Sequence, residues 1–306
     1  MKDDTRSFYE RALEKAVAQV VAGLDQALDL QALARGAALS TFHFHRVFRG
    51  ALGETPLELH RRLRLERAAF SLSNDDTPVT TLAFAAGYET HESFTRAFRE
   101  HYDCSPSEFR QSRERARAGC ERPYPIELAS RSGIHFQSRA VPVNIQFIRG
   151  EPIMEIEIKE MPELRVATVS HVGPYNRISE AFARLGEIAG REQLVGPSAE
   201  MLGIYHDDPE ITPAAELRSE AALTVPPDAK LPKELGERRV PGGRYASTRH
   251  VGPYEELPDA WARFMGQWLP RSGHRLRESV SYEIYRNTPA DVPKEKLETE
   301  LYIPLV

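Results

Sequence analysis

The chain has 306 residues and a formal net charge of −5, and its composition is 41% hydrophobic and 28% charged. This length predicts two domains, because single hydrophobic cores seldom grow beyond about 250 residues. The only cysteines, Cys104 and Cys120, are too few for a disulfide framework or a cysteine metal cluster and favour a reducing compartment. The amino terminus is charged, and no apolar run approaches the roughly 20 residues of a membrane span. These features predict a soluble cytoplasmic protein that does not contact a membrane.

Charge is distributed unevenly along the chain. Residues 1–118 contain 17 basic and 17 acidic side chains, so the net charge of −5 lies in the remainder. Between Leu30 and Ala118 every basic residue is arginine, whose planar guanidinium suits phosphate oxygens and guanine edges. Arginine usage also follows coding bias, so this signal is weak by itself.

A short helical unit occurs twice, fifty positions apart. The pattern Phe-x-Arg-x-Phe-Arg at residues 44–49 returns at residues 94–99, and Pro56 and Pro106 follow the two copies. Duplications of this kind define the architecture before single residues are considered.

Each copy is predicted to be a helix-turn-helix unit. The first has a helix over 30–36 capped by Asp29, then a longer helix from Ser40 to about residue 50. The second has helices over 80–86 and 90–101. In both longer helices, phenylalanines spaced three and four apart predict a buried stripe, which leaves polar and basic side chains on exposed faces.

A long helix is predicted between the two copies, over about residues 56–73, because proline is favoured in a first helical turn. Its apolar stripe is surrounded by arginines. Such a rod would hold two recognition helices about 34 Å apart, the separation of successive major-groove segments on one side of DNA. The alternative is a helical bundle whose arginines only solvate its surface.

The segments 40–49, 61–68 and 86–110 resemble the DNA-binding domain of the AraC family of bacterial transcription regulators. The resemblance covers about residues 8–112 and implies promoter DNA as a partner. Arg46 and Arg96 are the strongest candidates for contacts with bases. The base-facing positions implied by the resemblance are Phe42, His45 and Arg46 in the first unit and His91, Glu92, Ser93 and Arg96 in the second.

Two of these positions have alternatives. A carboxylate at Glu92 is repelled by phosphates unless it accepts a hydrogen bond from cytosine N4 or pairs with an arginine, so Glu92 is equally well interpreted as a helix-capping residue. His43 and His45 are two residues apart and point to different sides of a helix, which disfavours a metal site there. No metal site and no cofactor are predicted.

Regular patterning fails between Arg113 and about Pro152. We therefore predict a DNA-binding domain over 1–118, a connector over 119–152 and a second domain over 153–306. Short apolar alternations over 126–147 predict that the connector is ordered against one of the domains.

The second domain is also duplicated. His-Val-Gly-Pro-Tyr at 171–175 returns at 250–254, and Ile-Tyr at 204–205 returns at 284–285. Alternation with period two predicts strands, and apolar residues spaced three and four apart predict a helix after each Gly-Pro turn. The predicted fold class is multi-domain, with an all-α amino-terminal domain and an α+β carboxyl-terminal domain built from a pseudo-twofold duplicated strand-helix-strand-strand unit.

One position breaks this repeat, since Gly203 of the first copy corresponds to Glu283 of the second. Alternation places Glu283 on the same strand face as Tyr285. A carboxylate among aromatic residues in a strand must be solvated, paired or available to a ligand. If the two halves meet in a groove, Glu283 stands asymmetrically in it, and Gly203 leaves room opposite. The alternative is an exposed Glu283 paired with Arg286 or another arginine.

Four motifs, at 171–175, 203–209, 282–289 and 298–304, resemble the GyrI-like effector-binding domain over about residues 153–306. The resemblance implies that Glu283 lies in an aromatic cleft that binds hydrophobic, often cationic compounds, and a carboxylate beside ring faces suits a cation. Phe182 and Phe264 are expected mainly to pack in the core. The candidate ligand-binding residues are Glu283, Tyr285, Tyr205, Trp261, Trp268, Tyr175 and Tyr254.

The predicted function is a ligand-responsive bacterial transcription regulator, in which a small molecule modulates binding to promoter DNA. RNA polymerase is a further expected partner if the protein activates transcription. The main alternative is a hydrolase of reactive small molecules, in which Glu283 with Tyr285 or Tyr254 activates water. A sequestering or topoisomerase-binding protein is a third possibility, but it leaves two helix-turn-helix units without a role.

Overall fold

The computed structural model describes residues 2–117, 125–137, 154–207 and 212–306. Contacts within the chain divide it into two compact units. The sheet unit contains Met1–Phe8, Leu39–Gly50 and Gly150–Val306, and the helical unit contains Tyr9–Ala38 and Ala51–Arg149. The segment Leu39–Gly50, which belongs to the first helix-turn-helix copy in sequence, is therefore grouped with the sheet.

The amino-terminal region is helical, as predicted. None of the helices that the structure describes is long and apolar enough to cross a membrane. The helices are α1 (Lys2–Ala22), α2 (Leu30–Gly36), α3 (Thr41–Leu52), α4 (Pro56–Asn74), α5 (Val79–Ala85), α6 (His91–Tyr102) and α7 (Pro106–Arg117).

Local hydrogen bonds explain where these helices begin. The Asp29 carboxylate accepts from the Ala32 amide at 2.9 Å at the start of α2. Thr55 and Glu58 form a reciprocal capping box before α4, with Pro56 in its first turn. Thr90 caps α6 by accepting from the backbone amide of Ser93 at 3.1 Å.

The helical unit has a core centred on α4, α5, α6 and α7. Phe94 and Phe98 of α6 are fully buried, as the phenylalanine spacing predicts. Phe98 packs edge-on against Phe109 of α7, with ring centroids 5.4 Å apart. Leu128, from the described part of the connector, joins the same core.

Glu66 of α4 holds the connector segment 125–137 in place. Its side chain is fully buried and accepts from the backbone amides of Leu128 at 3.0 Å and Phe136 at 2.8 Å. Arg62 donates to the same carboxylate at 2.8 Å. The predicted order of the connector is therefore observed for this segment, and the rest of the predicted connector lies outside the described residues.

The sheet unit contains an eight-stranded antiparallel sheet. Its spatial order is β1-β6-β8-β7-β3-β4-β2-β5. The strands β3 and β7 therefore meet at the centre, and the strand order of one half repeats that of the other half in the opposite direction. This arrangement confirms the predicted α+β fold with a duplicated unit. The strands are β1 (Ile156–Met161), β2 (Leu164–Val172), β3 (Met201–Tyr205), β4 (Arg218–Thr224), β5 (Gly236–Val240), β6 (Gly243–Val251), β7 (Tyr282–Tyr285) and β8 (Glu298–Pro304).

The first strand of each half pairs with the opposite half. β1 pairs with β6, and β5 pairs with β2. Only two residues separate β1 from β2 and β5 from β6, so the two edges of the sheet must curl close together. The two links are in contact at Gly242, where a Cβ atom would lie 2.7 Å from the Glu163 amide nitrogen.

The helices that follow the two Gly-Pro turns differ. In the first half α8 (Ser179–Arg191) is a regular α-helix that packs on β2 and β4. In the second half α9 (Leu257–Ala262) passes into a π-helical segment, Arg263–Trp268, and then into α10 (Leu269–Ser272). Because π-helical turns are wider than α-helical turns, residues beyond Arg263 face directions that α-helical spacing does not predict.

Candidate functional site

A cleft of about 720 Å³ lies in the sheet unit, where β3 and β7 meet. In the register of these strands, Gly203 is directly opposite Glu283. The volume falls within the usual range for small-molecule sites. The cleft is lined by His45, Arg46, Arg49, Pro174, Tyr175, Asn176, Ile178, Ser179, Phe182, Met201, Tyr205, Ala214, Leu217, Tyr254, Glu255, Leu257, Pro258, Trp261, Ala262, Glu283, Tyr285, Thr288 and Pro289.

Glu283 is the buried acid of this cleft, with 3% of its surface exposed. Trp261 Nε1 donates to its Oε1 atom at 2.7 Å, and the Tyr285 hydroxyl donates to its Oε2 atom at 2.7 Å. The Tyr205 and Tyr285 hydroxyl oxygens are also 2.7 Å apart. Because Tyr285 uses its only hydroxyl proton on Glu283, Tyr205 must be the donor of that bond. The predicted alternative, pairing with Arg286, is not observed, since Arg286 donates to Glu200 and Glu300.

Burial governs the protonation of this network. It raises the pKa of Glu283, and the hydrogen bonds from Trp261 and Tyr285 and the charge of Arg46 oppose that rise. Burial and the nearby carboxylate also raise the pKa of Tyr285 well above its ordinary value. The tyrosine therefore remains a neutral hydrogen-bond donor.

Gly203 makes the tyrosine pair geometrically possible. A Cβ atom at this position would lie 2.7 Å from the Tyr285 hydroxyl oxygen and 2.9 Å from Cε2 of Tyr205. Such approaches are closer than van der Waals contact, so a side chain would push both rings away. The glycine thus leaves the space in which the two hydroxyl groups meet.

Aromatic rings form the walls beside the acid. Tyr254 and Phe182 each pack edge-on against Tyr285, with ring centroids 5.5 Å and 5.4 Å apart. Tyr175 packs edge-on against Tyr205 at 4.8 Å. The structure therefore brings together six of the seven candidate ligand-binding residues.

The seventh candidate, Trp268, does not line the cleft. It packs against Phe264 at 5.4 Å and His274 at 6.2 Å between ring centroids. The prediction assumed that Trp261 and Trp268, seven positions apart, share a helical face, and the π-helical segment between them changes that face. Phe182, expected mainly to pack in the core, packs against the core of the sheet unit and also lines the cleft wall.

One wall of the cleft comes from α3. The Arg46 guanidinium carbon lies 4.7 Å from the centroid of the Trp261 ring and 4.5 Å from that of Phe42. His45 also lines the cleft and is only 1% exposed. The prediction that this face of α3 is exposed is therefore wrong for His45 in this arrangement. The sequence pattern alone did not indicate what covers that face.

His43 anchors α3 on the sheet unit. Its Nε2 atom lies 3.1 Å from the Ser281 hydroxyl oxygen in a buried contact. Burial, reinforced by the positive charge of Arg46, lowers the pKa of His43 to about 4. The imidazole is therefore neutral at physiological pH and contributes a hydrogen bond rather than a charge.

The second recognition helix, α6, presents an exposed polar face. His91, Glu92 and Arg96 are exposed, and Ser93 is half-buried with its hydroxyl donating to the Thr90 carbonyl oxygen at 2.9 Å. The side chain of Thr90, not of Glu92, caps the helix. Glu92 is thus available on the surface. The assignment of these residues to DNA contact stays a prediction.

A helix-turn-helix region joined to a duplicated domain with an aromatic cleft is the architecture of a transcription regulator with its own ligand-binding domain. A family model described as the GyrI-like small molecule binding domain matches residues 154–306, and a helix-turn-helix domain model matches residues 33–112. The chain belongs to the GyrI-like family and carries an AraC-type helix-turn-helix domain at its amino-terminal end. The two resemblances inferred from the sequence are confirmed.

Similar proteins include relatives that this chain covers over most of their length. A DNA gyrase inhibitor of Yersinia enterocolitica is 33% identical over 139 residues, which cover 44% of this chain and 87% of the relative. The probable transcriptional regulator YgiV of Escherichia coli strain K12 is 28% identical over 158 residues, which cover 50% of this chain and 96% of the relative. The cryo-EM structure of the EcmrR-DNA complex in EcmrR-RPo is 20% identical, with a TM-score of 0.44 over 50% of this chain and 57% of that chain.

Proposed function

We propose that this transcription regulator binds specific promoter DNA and that a hydrophobic cation in the cleft modulates this binding. The observation that carries the proposal is Glu283, a buried carboxylate fixed by two donors among aromatic rings. A cation placed there gains both the carboxylate charge and the ring faces, and low solvent access strengthens both interactions.

The arrangement around Glu283 suits binding better than hydrolysis. Each carboxylate oxygen accepts a hydrogen bond from a neighbouring side chain, Trp261 or Tyr285, which stabilises a fixed negative charge. The same two hydrogen bonds oppose protonation of the carboxylate, which makes it a weaker general base. We therefore propose that the cleft is a receptor and that incubation with epoxides or esters yields no product detectable by mass spectrometry.

A charge-specific substitution tests the cleft. In the Glu283→Gln variant, affinity for tetraphenylphosphonium should fall at least tenfold, whereas affinity for the neutral triphenylphosphine oxide should change little. Isothermal titration calorimetry on the full chain gives both values. Glu187→Gln is a matched control, because Glu187 is exposed on α8 and outside the cleft. Equal losses for the two compounds would make Glu283 a structural residue and overturn the proposal.

A further inference from the structure

The position of α3 on the sheet unit depends on a glycine contact. A Cβ atom at Gly50 would collide with the Ala262 carbonyl oxygen and would lie 2.7 Å from the Gly266 Cα atom. The α3 backbone therefore lies directly against α9 and the π-helical segment. Arg49 adds an ion pair with Asp259 at 3.6 Å, and His43 adds its buried contact with Ser281.

This docking places Arg46 where a cationic ligand is expected. Its guanidinium lies over the Trp261 ring, and Nε1 of the same ring donates to Glu283. The Arg46 charge is close enough to favour the ionised form of Glu283. A guanidinium over an aromatic face near a carboxylate satisfies the same interactions as a bound cation.

The docked helix also carries positions that the AraC resemblance assigns to DNA. Phe42 packs under the Arg46 guanidinium, and His45 is buried against the cleft. His45 cannot contact a base edge while it is buried against the cleft. Base contact by His45 therefore requires α3 to leave this position, and a cation that takes the place of Arg46 over Trp261 favours the same movement.

We propose that Arg46 is a tethered occupant of the cation site, which holds α3 in an autoinhibited position until a hydrophobic cation displaces it. This inference rests on the proposed function and names how the site is regulated. Because the free cation and promoter DNA both favour the undocked helix, each raises the affinity for the other. The sign of the coupling is thus positive for DNA binding.

The first test removes the tethered cation. In the full chain, Arg46→Ala should bind tetraphenylphosphonium about tenfold more tightly than the wild type, because the docked state no longer competes. Arg184→Ala is the matched control, since Arg184 is exposed on α8 and outside the cleft. Unchanged or weaker binding by Arg46→Ala overturns the inference. If neither protein binds the cation, the proposed function itself fails.

The second test separates displacement of α3 from simple charge repulsion. Gly50→Ala keeps Arg46 and favours the helix by propensity, but its methyl group blocks docking against Ala262 and Gly266. Without ligand, this variant should bind an operator selected from random DNA about tenfold more tightly than the wild type. Tetraphenylphosphonium should raise wild-type affinity by the same factor and leave Gly50→Ala unchanged.

Gly186→Ala controls for the gain in helix propensity, because a Cβ atom at this α8 position meets nothing within 4 Å. It should behave as the wild type in both assays. Retained binding of tetraphenylphosphonium by Gly50→Ala shows that the variant is folded. Wild-type-like DNA binding by a folded Gly50→Ala, or equal gains in the two glycine variants, contradicts autoinhibition.

Discussion

Two glycines in the sheet unit allow close contacts that a methyl group would prevent. Gly203 lets the Tyr205 and Tyr285 hydroxyls meet opposite Glu283, and Gly50 lets α3 lie against α9. Both positions break an internal repeat, because Gly203 corresponds to Glu283 and Gly50 corresponds to Glu100. A carboxylate in one copy and a missing side chain in the other thus mark where duplicated halves take different roles.

A prediction at this scale concerns Arg96 of α6. Arg96→Ala should lose about 1–3 kcal/mol of discrimination between the selected operator and random DNA, as expected for an arginine that contacts a base edge. Competition gel-shift assays at one fixed salt concentration measure this difference.

Arg61→Ala, an exposed substitution on α4, controls for loss of one positive charge. It should weaken binding to both DNA populations by the same factor. If Arg96→Ala behaves in the same way, Arg96 contacts only phosphates.

The elements show which features local sequence predicts and which it does not. Asp29, Thr55 and the phenylalanines of α6 predict helix starts and buried faces, because capping and spacing are local signals. Period-two alternation predicts strands, but it does not predict that β1 pairs with β6 of the opposite half. The choice of a partner strand depends on residues that are far away in the sequence. The Gly203 and Glu283 pairing was inferred because the duplication aligns the two halves.

The candidate site was predicted less completely for physical reasons. The spacing of an α-helix predicts Trp261 and Trp268 on one face, but the π-helical segment that ends at Trp268 changes the direction of its side chain. The polar face of α3 was expected to be exposed, because periodicity shows which face is apolar but not what covers the other face. Gly50 corresponds to Glu100 in the repeat, and this difference marks the site of the docking but does not indicate what α3 docks against.

A pH dependence follows from equivalent glutamates on β4 and β8. Burial alone would raise the pKa of Glu220, but hydrogen bonds from His206 and Arg238 outweigh it and lower the pKa to about 2. Burial is likewise outweighed at Glu300 by Arg286 and Tyr302, which lower its pKa to about 2. Because both pKa values are depressed in the folded state, this stabilisation is full above the unfolded value of 4.5.

The free energy of unfolding should therefore decrease as pH falls from about 4.5 towards 2. Urea unfolding across this range should show a smaller decrease for the Glu220→Gln/Glu300→Gln double variant than for the wild type. The exposed control Glu187→Gln should keep the wild-type dependence. Identical curves for the double variant and the wild type would show that these pairs contribute nothing to acid stability.

For the whole molecule, the proposed coupling must be reciprocal. If tetraphenylphosphonium raises affinity for the operator by a given factor, the operator must raise affinity for tetraphenylphosphonium by the same factor. Titration calorimetry with and without operator DNA, combined with gel shifts with and without the cation, gives both factors. Random DNA, which needs no base contacts from α3, should raise the affinity for tetraphenylphosphonium by a smaller factor than the operator does. Unequal factors would mean that the two assays follow different equilibria.

The β1–β2 and β5–β6 links, which are in contact at Gly242, also limit the size of ligand that the cleft can accommodate. The first strand of each half pairs with a strand of the other half. The two halves therefore cannot separate unless the β1–β6 and β2–β5 hydrogen bonds, at the two edges of the sheet, are broken. The sheet around Glu283 therefore has little freedom to widen for a larger ligand. Extra room has to come from another part of the lining, and we expect α3, which lies on the sheet unit through side-chain contacts and the Gly50 contact, to be the wall that moves.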